Sequence, residues 1–533
     1  MKALKYTICI VAVSFGLHSC TKNFESLNTN PVGIEQIDPA YQLTKIQTGL
    51  SGDREDVWKY DLGIASPLIQ HLGGAWWTRH GGMYQILEKN HWYSHWETVY
   101  ARELTNLQDI INKTSADPEM VNMNAACRIL RVYIFSRLTD MYGDIPYFDA
   151  VKGYPNRIYR PKYDKQEDIY QDFFKELQES VNQLNQSKEK VQGDLFYNGD
   201  VSKWKRFANS LHLRLGFRLT KVNQAEAKKQ VEQALSSGVM SSNQDICMMK
   251  HMNISYRDDE LRGNGRSQVF KNEPISGGFR LVRTLVDYMK NVHDPRLHIY
   301  GGTYLGDGII GMSSNITDIS KFIEPLGVAP GAMAWSQWGD YGNITDDKGN
   351  SIFVGHNLKF LQPSIYVSAL DAPFFHFTYA EVEFLKAEAA ARGWAGLSNS
   401  EEHFLKGIQA SCEMMKFYPD APSISQPEID QLKIGFLPFP TDFEQRMDHI
   451  HSQMWVNFFL NGAEAYANYR RTGYPKLVHF TSVDWYTSGT GGIMPRRFFY
   501  PESEAIQNKQ NLEEALARIG GQNDWLKRVW WDK

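Results

Sequence analysis

Residues 378–417 read TYAEVEFLKAEAAARGWAGLSNSEEHFLKGIQASCEMMKF, and this stretch decides the fold class. Thr378-Tyr379-Ala380-Glu381 has the form of a capping box, in which the Thr hydroxyl and the Glu carboxylate each satisfy an orphan N–H at a helix start. Val382, Leu385 and Ala389 continue the helix to Gly393, a residue suited to the left-handed position just past a helix end. Ser398-Asn399-Ser400-Glu401 offers a second box, and Phe404, Leu405, Ile408, Cys412 and Met415 form the next apolar stripe. The stretch predicts two helices joined by a short turn.

The same signals recur to either side. Ala126, Ile129, Leu130, Tyr133, Ile134, Leu138 and Met141 make one stripe that ends at Gly143, with Pro146 beyond. Ser202 is placed to cap a helix whose inner face is Trp204, Phe207, Ala208, Leu211, Leu215 and Leu219. Residues 168–184 and 453–469 are further helical segments. A hairpin of roughly 35–40 residues is the size of a tetratricopeptide unit, although any helical hairpin shares that spacing. Between the helices, 63–84 and 294–368 are rich in Gly, Asn, Ser and aromatic residues. Irregular stretches this long are uncommon unless they carry function. The expected architecture is mainly α, a helical scaffold presenting large aromatic loops.

The N-terminus carries an export signal. Lys2 and Lys5 precede an apolar run at 7–17, and Leu17-His18-Ser19-Cys20 reads as a lipobox. The run is far shorter than the about 20 residues a membrane span needs. Residues 1–19 are expected to be removed, leaving a lipid on Cys20 that anchors the chain without spanning. Residues 20–33 are polar and form a tether. Lys2 and Lys5 leave with the signal, taking the formal charge from −4 to −6, which argues against nucleic acid or an anionic membrane face as partner. Cys127, Cys247 and Cys412 remain, an odd and sparse set that is no disulfide framework. Cys127 and Cys412 fall on apolar helix faces, where burial as free thiols is the expectation.

Several motifs suggest chemistry and carry little. Gly306-Asp307-Gly308-Ile309-Ile310-Gly311 matches G-x-G-x-x-G, but Met312-Ser313-Ser314-Asn315 follows where a dinucleotide site needs a helix. His91 and His95 sit one helical turn apart and lack a visible third metal ligand. Asp140 and Asp144 could be paired carboxylates for glycoside hydrolysis, yet they also suit the turn into Pro146. Arg470 and Arg471 complement the negative end of their own helix. No G-x-S-x-G elbow occurs. No cofactor, metal or catalytic residue is expected.

Two aromatic clusters are the candidate ligand contacts. Trp76 and Trp77 lie among glycines, with Arg79 and Tyr84 close behind, and Trp335, Gln337, Trp338, Asp340 and Tyr341 form a second group. Aromatic faces on Gly-rich loops can cover pyranose C–H groups while Arg79, Gln337 and Asp340 bond hydroxyls. The plainer role for such Trp residues is to pin long loops to the body.

Several segments, in order, resemble the SusD/RagB family of Bacteroidetes surface lipoproteins. They are Arg137-Leu138-Thr139-Asp140-Met141-Tyr142-Gly143-Asp144-Ile145-Pro146-Tyr147, Trp204-Lys205-Arg206-Phe207-Ala208-Asn209-Ser210-Leu211, and the 378–394 helix ending Ala391-Arg392-Gly393-Trp394. The strongest is Trp455-Val456-Asn457-Phe458-Phe459-Leu460-Asn461-Gly462 through Asn468-Tyr469-Arg470-Arg471-Thr472-Gly473-Tyr474-Pro475, followed by Pro495-Arg496-Arg497-Phe498-Phe499-Tyr500-Pro501 and Asn508. The resemblance implies a SusD-like fold over 34–533 as a single domain, with four tetratricopeptide-like hairpins packed against an irregular, loop-rich ligand-binding half. The hairpins would fall mainly within 95–240 and 375–475, and the binding region mainly at 63–84 and 250–370. It implies no catalysis, an outer-membrane location facing the cell exterior, and a SusC-like TonB-dependent transporter as partner. The expected ligand is an oligosaccharide. A peptide is the alternative within the family, and a glycoside hydrolase or lyase the alternative outside it.

Overall fold

The computed structural model describes residues 37–533 apart from 75, 154–155, 255–260, 273–278, 303, 306–316, 319–325, 332–342, 346–348, 350, 354–359 and 484–485. The helices that carry the architecture are α1 (Pro39–Gly52), α2 (Thr105–Thr114), α3 (Val121–Tyr142), α4 (Gln166–Gln183), α5 (Val201–Arg218) and α6 (Gln224–Ser236). After the loop-rich middle come α7 (Tyr379–Ala391), α8 (Ser400–Glu413), α9 (Phe443–Asn457), α10 (Gly462–Thr472) and α11 (Lys509–Arg518). Sequence neighbours pack as pairs: α2 on α3, α3 on α4, α5 on α6, α7 on α8 and α9 on α10. The α4–α5 and α7–α9 contacts join the pairs into layers.

The caps explain where these helices begin. Thr378 Oγ1 accepts from Glu381 N at 3.2 Å, as the sequence predicts. The reciprocal half of the box is not made, because both Glu381 oxygens are taken at 2.6 Å by Arg214 of α5. Two other caps differ from expectation. Asp200, not Ser202, caps α5 by accepting from the Ser202 and Lys203 amides. Asn399, not Ser398, caps α8 by accepting from Glu402 N. Asp200 and Asn399 are the residues with the non-helical backbone that a cap requires. Gly393 closes α7 at φ +68, with Trp394 N donating to Ala389 O. Where α7 and α8 meet, a Cβ on Gly407 would come within 2.6 Å of the Phe384 ring, so only a residue without a side chain permits this approach.

One contiguous apolar core runs from Leu43 to Trp531. Buried ion pairs tie the helices through it. Arg218 bonds Asp140 at 3.1 Å and pairs with Glu464, which also faces Arg214 at 3.4 Å. Glu388 accepts from Arg471 at 2.8 Å and lies 2.8 Å from Arg392 and 3.1 Å from His451. Burial pushes the Glu388 carboxyl up, but Arg471, Arg392 and His451 outweigh it and hold the group well below the usual range.

The candidate motifs resolve into this framework. Asp140 accepts from Tyr170 Oη at 2.5 Å and Trp531 Nε1 at 2.8 Å, while Asp144 accepts from Gln166 N and pairs with Arg518. Arg470 lies over the Tyr466 and Trp531 rings. His95 binds Asp56 at 2.7 Å and His91 lies 3.5 Å from Glu88, so the two rings serve different partners. Cys127 and Cys412 are buried free thiols, as expected, and Cys247 is buried and free as well. The 306–311 motif lies outside the described residues.

The 63–84 segment differs from a plain loop. Val57–Ala65 winds as a π-helix that continues into Ser66–Leu68, and Arg79–Gly82 is a further helical turn. Burial on every side of this segment leaves no amphipathic period to read. The described strands form two-stranded antiparallel pairs, such as Leu72–Gly73 with Arg280–Leu281 and Cys247–Met249 with Phe374–Phe377. They stitch the middle of the chain onto the helices. Among the described residues no helix is long and apolar enough to cross a membrane.

Candidate functional site

Adjacent Trp residues take opposite directions in the short 3₁₀ turn Trp76–Thr78. Trp76 is 43% exposed. Trp77 is buried, its ring edge-on to Trp58 at 5.4 Å and 5.9 Å from Phe279. One residue thus faces solvent while its neighbour fixes the turn in the core. The Arg79 guanidinium stands 4.5 Å over the Trp76 ring, a cation–π arrangement. Arg79 Nε and Nη2 both donate to Gln85 Oε1, at 3.0 and 2.7 Å, and Gln85 Nε2 donates to Thr487 O at 2.8 Å. The amide orients the guanidinium against the Trp76 ring.

Tyr84 is buried at φ +52, and its hydroxyl meets His479 Nδ1 at 2.9 Å. Burial pushes its phenol well up, so it stays neutral and serves as a hydrogen-bonding strut. Of the first cluster, Trp76 and Arg79 are therefore brought together at the surface, while Trp77 and Tyr84 support them from beneath.

Trp335, Gln337, Trp338, Asp340 and Tyr341 lie outside the described residues, as does Cys20. Their segment is joined to the body at Gly331, whose Cα lies 3.6 Å from where a Cβ on Gly82 would be. Gly331 also sits against the Phe480 ring at φ +74. Gly331, four positions before Trp335 in the sequence, thus lies beside the first cluster.

The sequence gives no sign of a third contributor, the C-terminal hairpin Ser482–Val483 with Tyr486–Thr487. Gly489 N donates to Met83 O, Gln70 Nε2 donates to Val478 O, and Gln85 reaches Thr487. Exposed Ile86, Val478 and Ile493 belong to the segments that meet here. These contacts join residues about 400 positions apart, so no local pattern announces them. The described cavities lie elsewhere. One lined by Asn264, Arg266 and His376 is inside the core, and another of about 370 Å³ lies between α4 and α6. The candidate site is an open face with an aromatic platform, an oriented guanidinium and a neutral amide. Such a face suits a ligand with flat apolar patches and neutral polar groups.

The SusD-like family model, described as starch-binding and associating with the outer membrane, matches residues 31–501. The solved structure of a chitin-binding protein is 38% identical, with 93% of this chain and 100% of that chain covered and a TM-score of 0.79. A Bacteroidetes AC2a SusD-like protein is 30% identical at the same coverage, with a TM-score of 0.84. A chitin-binding SusD homolog from Flavobacterium johnsoniae shares the fold at 22% identity, covering 93% of this chain and 98% of its own, with a TM-score of 0.70. No curated protein matches the chain.

Proposed function

This chain belongs to the SusD-like family, and on that premise we propose that it is a non-enzymatic receptor that captures an oligosaccharide at the outer membrane and hands it to a SusC-like TonB-dependent transporter. One observation carries this reading above the others: Trp76 offers its ring to solvent while Arg79, oriented by Gln85, stands against it. A pyranose can stack on the indole and accept a hydrogen bond from the guanidinium. Trp335, Gln337, Trp338, Asp340 and Tyr341, which follow Gly331 in the sequence, complete the proposed platform. Lipid attachment at Cys20, after loss of 1–19, holds the receptor at the membrane through the 20–33 tether. The 38% identity to a chitin-binding protein makes oligomers of N-acetylglucosamine the first glycans to test. Hydrolysis is disfavoured because Asp140 and Asp144, the carboxylate pair the sequence singles out, are committed to internal partners.

The test is an oligosaccharide and peptide array probed with the soluble chain starting at Thr21, followed by titration calorimetry on the hits. Chitin oligomers are expected to bind without turnover. Trp76→Ala should weaken binding about tenfold, the cost of uncovering roughly 50 Å² of stacked apolar surface. Binding to peptides alone, or glycan binding indifferent to Trp76, Trp335 and Trp338, overturns the reading.

A further inference from the structure

The net negative charge of this chain hides a strongly basic loop. Between the end of α3 and the start of α4, Lys152, Arg157, Arg160, Lys162 and Lys165 stand against three carboxylates, Asp144, Asp149 and Asp164, and Asp144 is paired with Arg518 of α11. None of the five cations has an ion-pair partner among the described residues, and all but Lys152 are exposed. Asp164 is turned inward, accepting from the Tyr147 and Phe148 amides at 2.9 and 2.8 Å. Amid the cations, Tyr159 is 75% exposed and Phe148 41% exposed.

The loop is built to hold this arrangement. Ile145 and Asp164 pair across its base. Asn508 and Asn511, at the start of α11, donate to the Pro161 and Arg160 carbonyls at 2.9 and 3.0 Å, and Arg518 donates to Tyr163 O. The backbone is bonded inward while the charges and the Tyr159 ring point out.

We infer that this basic–aromatic loop docks on a phosphate-bearing lipid surface. Cations there attract headgroup phosphates, and an exposed Tyr among them fits the boundary between headgroups and acyl chains. The geometry of the anchor permits it, an argument that rests on the lipid proposed at Cys20. The tether enters at Ile37, whose carbonyl accepts from Lys113 at the end of α2, beside the start of α3. The loop follows the other end of α3, a helix of 22 residues and thus about 33 Å away. Residues 20–36 reach about 56 Å when extended, so anchor and loop can meet one membrane with α3 lying along it. This adds a second contact to the lipid and would fix how the receptor sits on its membrane.

Sedimentation with vesicles tests this without the lipid anchor, using the soluble chain from Thr21. It should bind vesicles of one part phosphatidylglycerol to two of phosphatidylcholine, fail to bind phosphatidylcholine alone, and be released by high salt. Arg157→Gln, Arg160→Gln and Lys162→Gln together should lower partition about a hundredfold, and Tyr159→Ser a few-fold. The altered side chains are exposed, so the unfolding midpoint should not move, and Lys162→Glu alone gives a second reading. Glycan titration of the same variants should match the parent, which separates failure here from failure of the proposed function. No binding to the anionic vesicles, binding unchanged by the triple variant, or preference for a soluble polyanion over vesicles overturns the inference.

Discussion

The helical pairs and the aromatic face use the same residue types to opposite ends. In the helices, Trp204 and Trp455 are buried, and Arg214, Arg218 and Arg471 are spent on Glu381, Glu464 and Glu388. At the face, Trp76 is exposed and Arg79 is held by the neutral Gln85. A guanidinium paired with a buried carboxylate locks helices together, whereas Arg79 is oriented by an amide against an exposed ring. The scaffold is fixed by buried paired charge, and at the face a side-chain amide orients the guanidinium beside an exposed ring.

Breaking the scaffold should have the largest effect. Glu388→Ala leaves Arg471 buried and without its carboxylate, which costs about 3–5 kcal/mol of stability. Urea unfolding reads this directly, and glycan affinity of the remaining folded protein should match the parent. A loss under about 1 kcal/mol would mean that Arg392 and Arg471 find other partners, and that charge pairing does not distinguish the two regions.

Trp77→Ala probes the seam between them. The ring lies against Trp58 and Phe279, so truncation should cost about 3 kcal/mol through the cavity it leaves. Thermal unfolding checks it. A change confined to affinity would place Trp77 in the ligand face instead.

Glu103 sharpens the contrast by its pH dependence. Its carboxylate is buried against α1, with Arg102 Nη2 at 3.5 Å, and burial, only partly offset by Arg102, raises it from 4.5 to about 7. A raised folded value means the native state keeps the proton longer than the unfolded chain does. This contribution is full below the ordinary value and is lost as pH rises from 4.5 to about 7. The loss totals up to about 3 kcal/mol. Glu103→Gln should remove that slope, read as the difference between parent and variant stability curves across this window.

The helices were legible because their stripes are local. The Thr378 cap and the Gly393 stop follow from a few adjacent residues. Glu381 was legible as half of a capping box but not as the partner of Arg214, which lies 167 positions away. The π-helix at Val57–Ala65 was not legible, because a helix buried all round shows no periodicity. At the site, the Trp76–Trp77 pair stood out by composition, yet nothing in two adjacent identical residues says which one faces out. That depends on Trp58 and Phe279, and on a hairpin contributed by the far end of the chain.

Trp76→Ala is the smallest perturbation and the most telling. The ring is already 43% exposed, so its removal should change stability by less than about 0.5 kcal/mol. Arg79 loses its cation–π contact but keeps both bonds to Gln85, and the turn stays fixed by Trp77. If the face binds glycan as proposed, affinity falls about tenfold with the unfolding curve unmoved. Neighbouring residues of one type would then divide cleanly, Trp77 acting on stability and Trp76 on affinity. An equal loss of stability in both variants would instead make Trp76 a strut like Trp77, and the stacking platform would have to be sought among Trp335 and Trp338 alone.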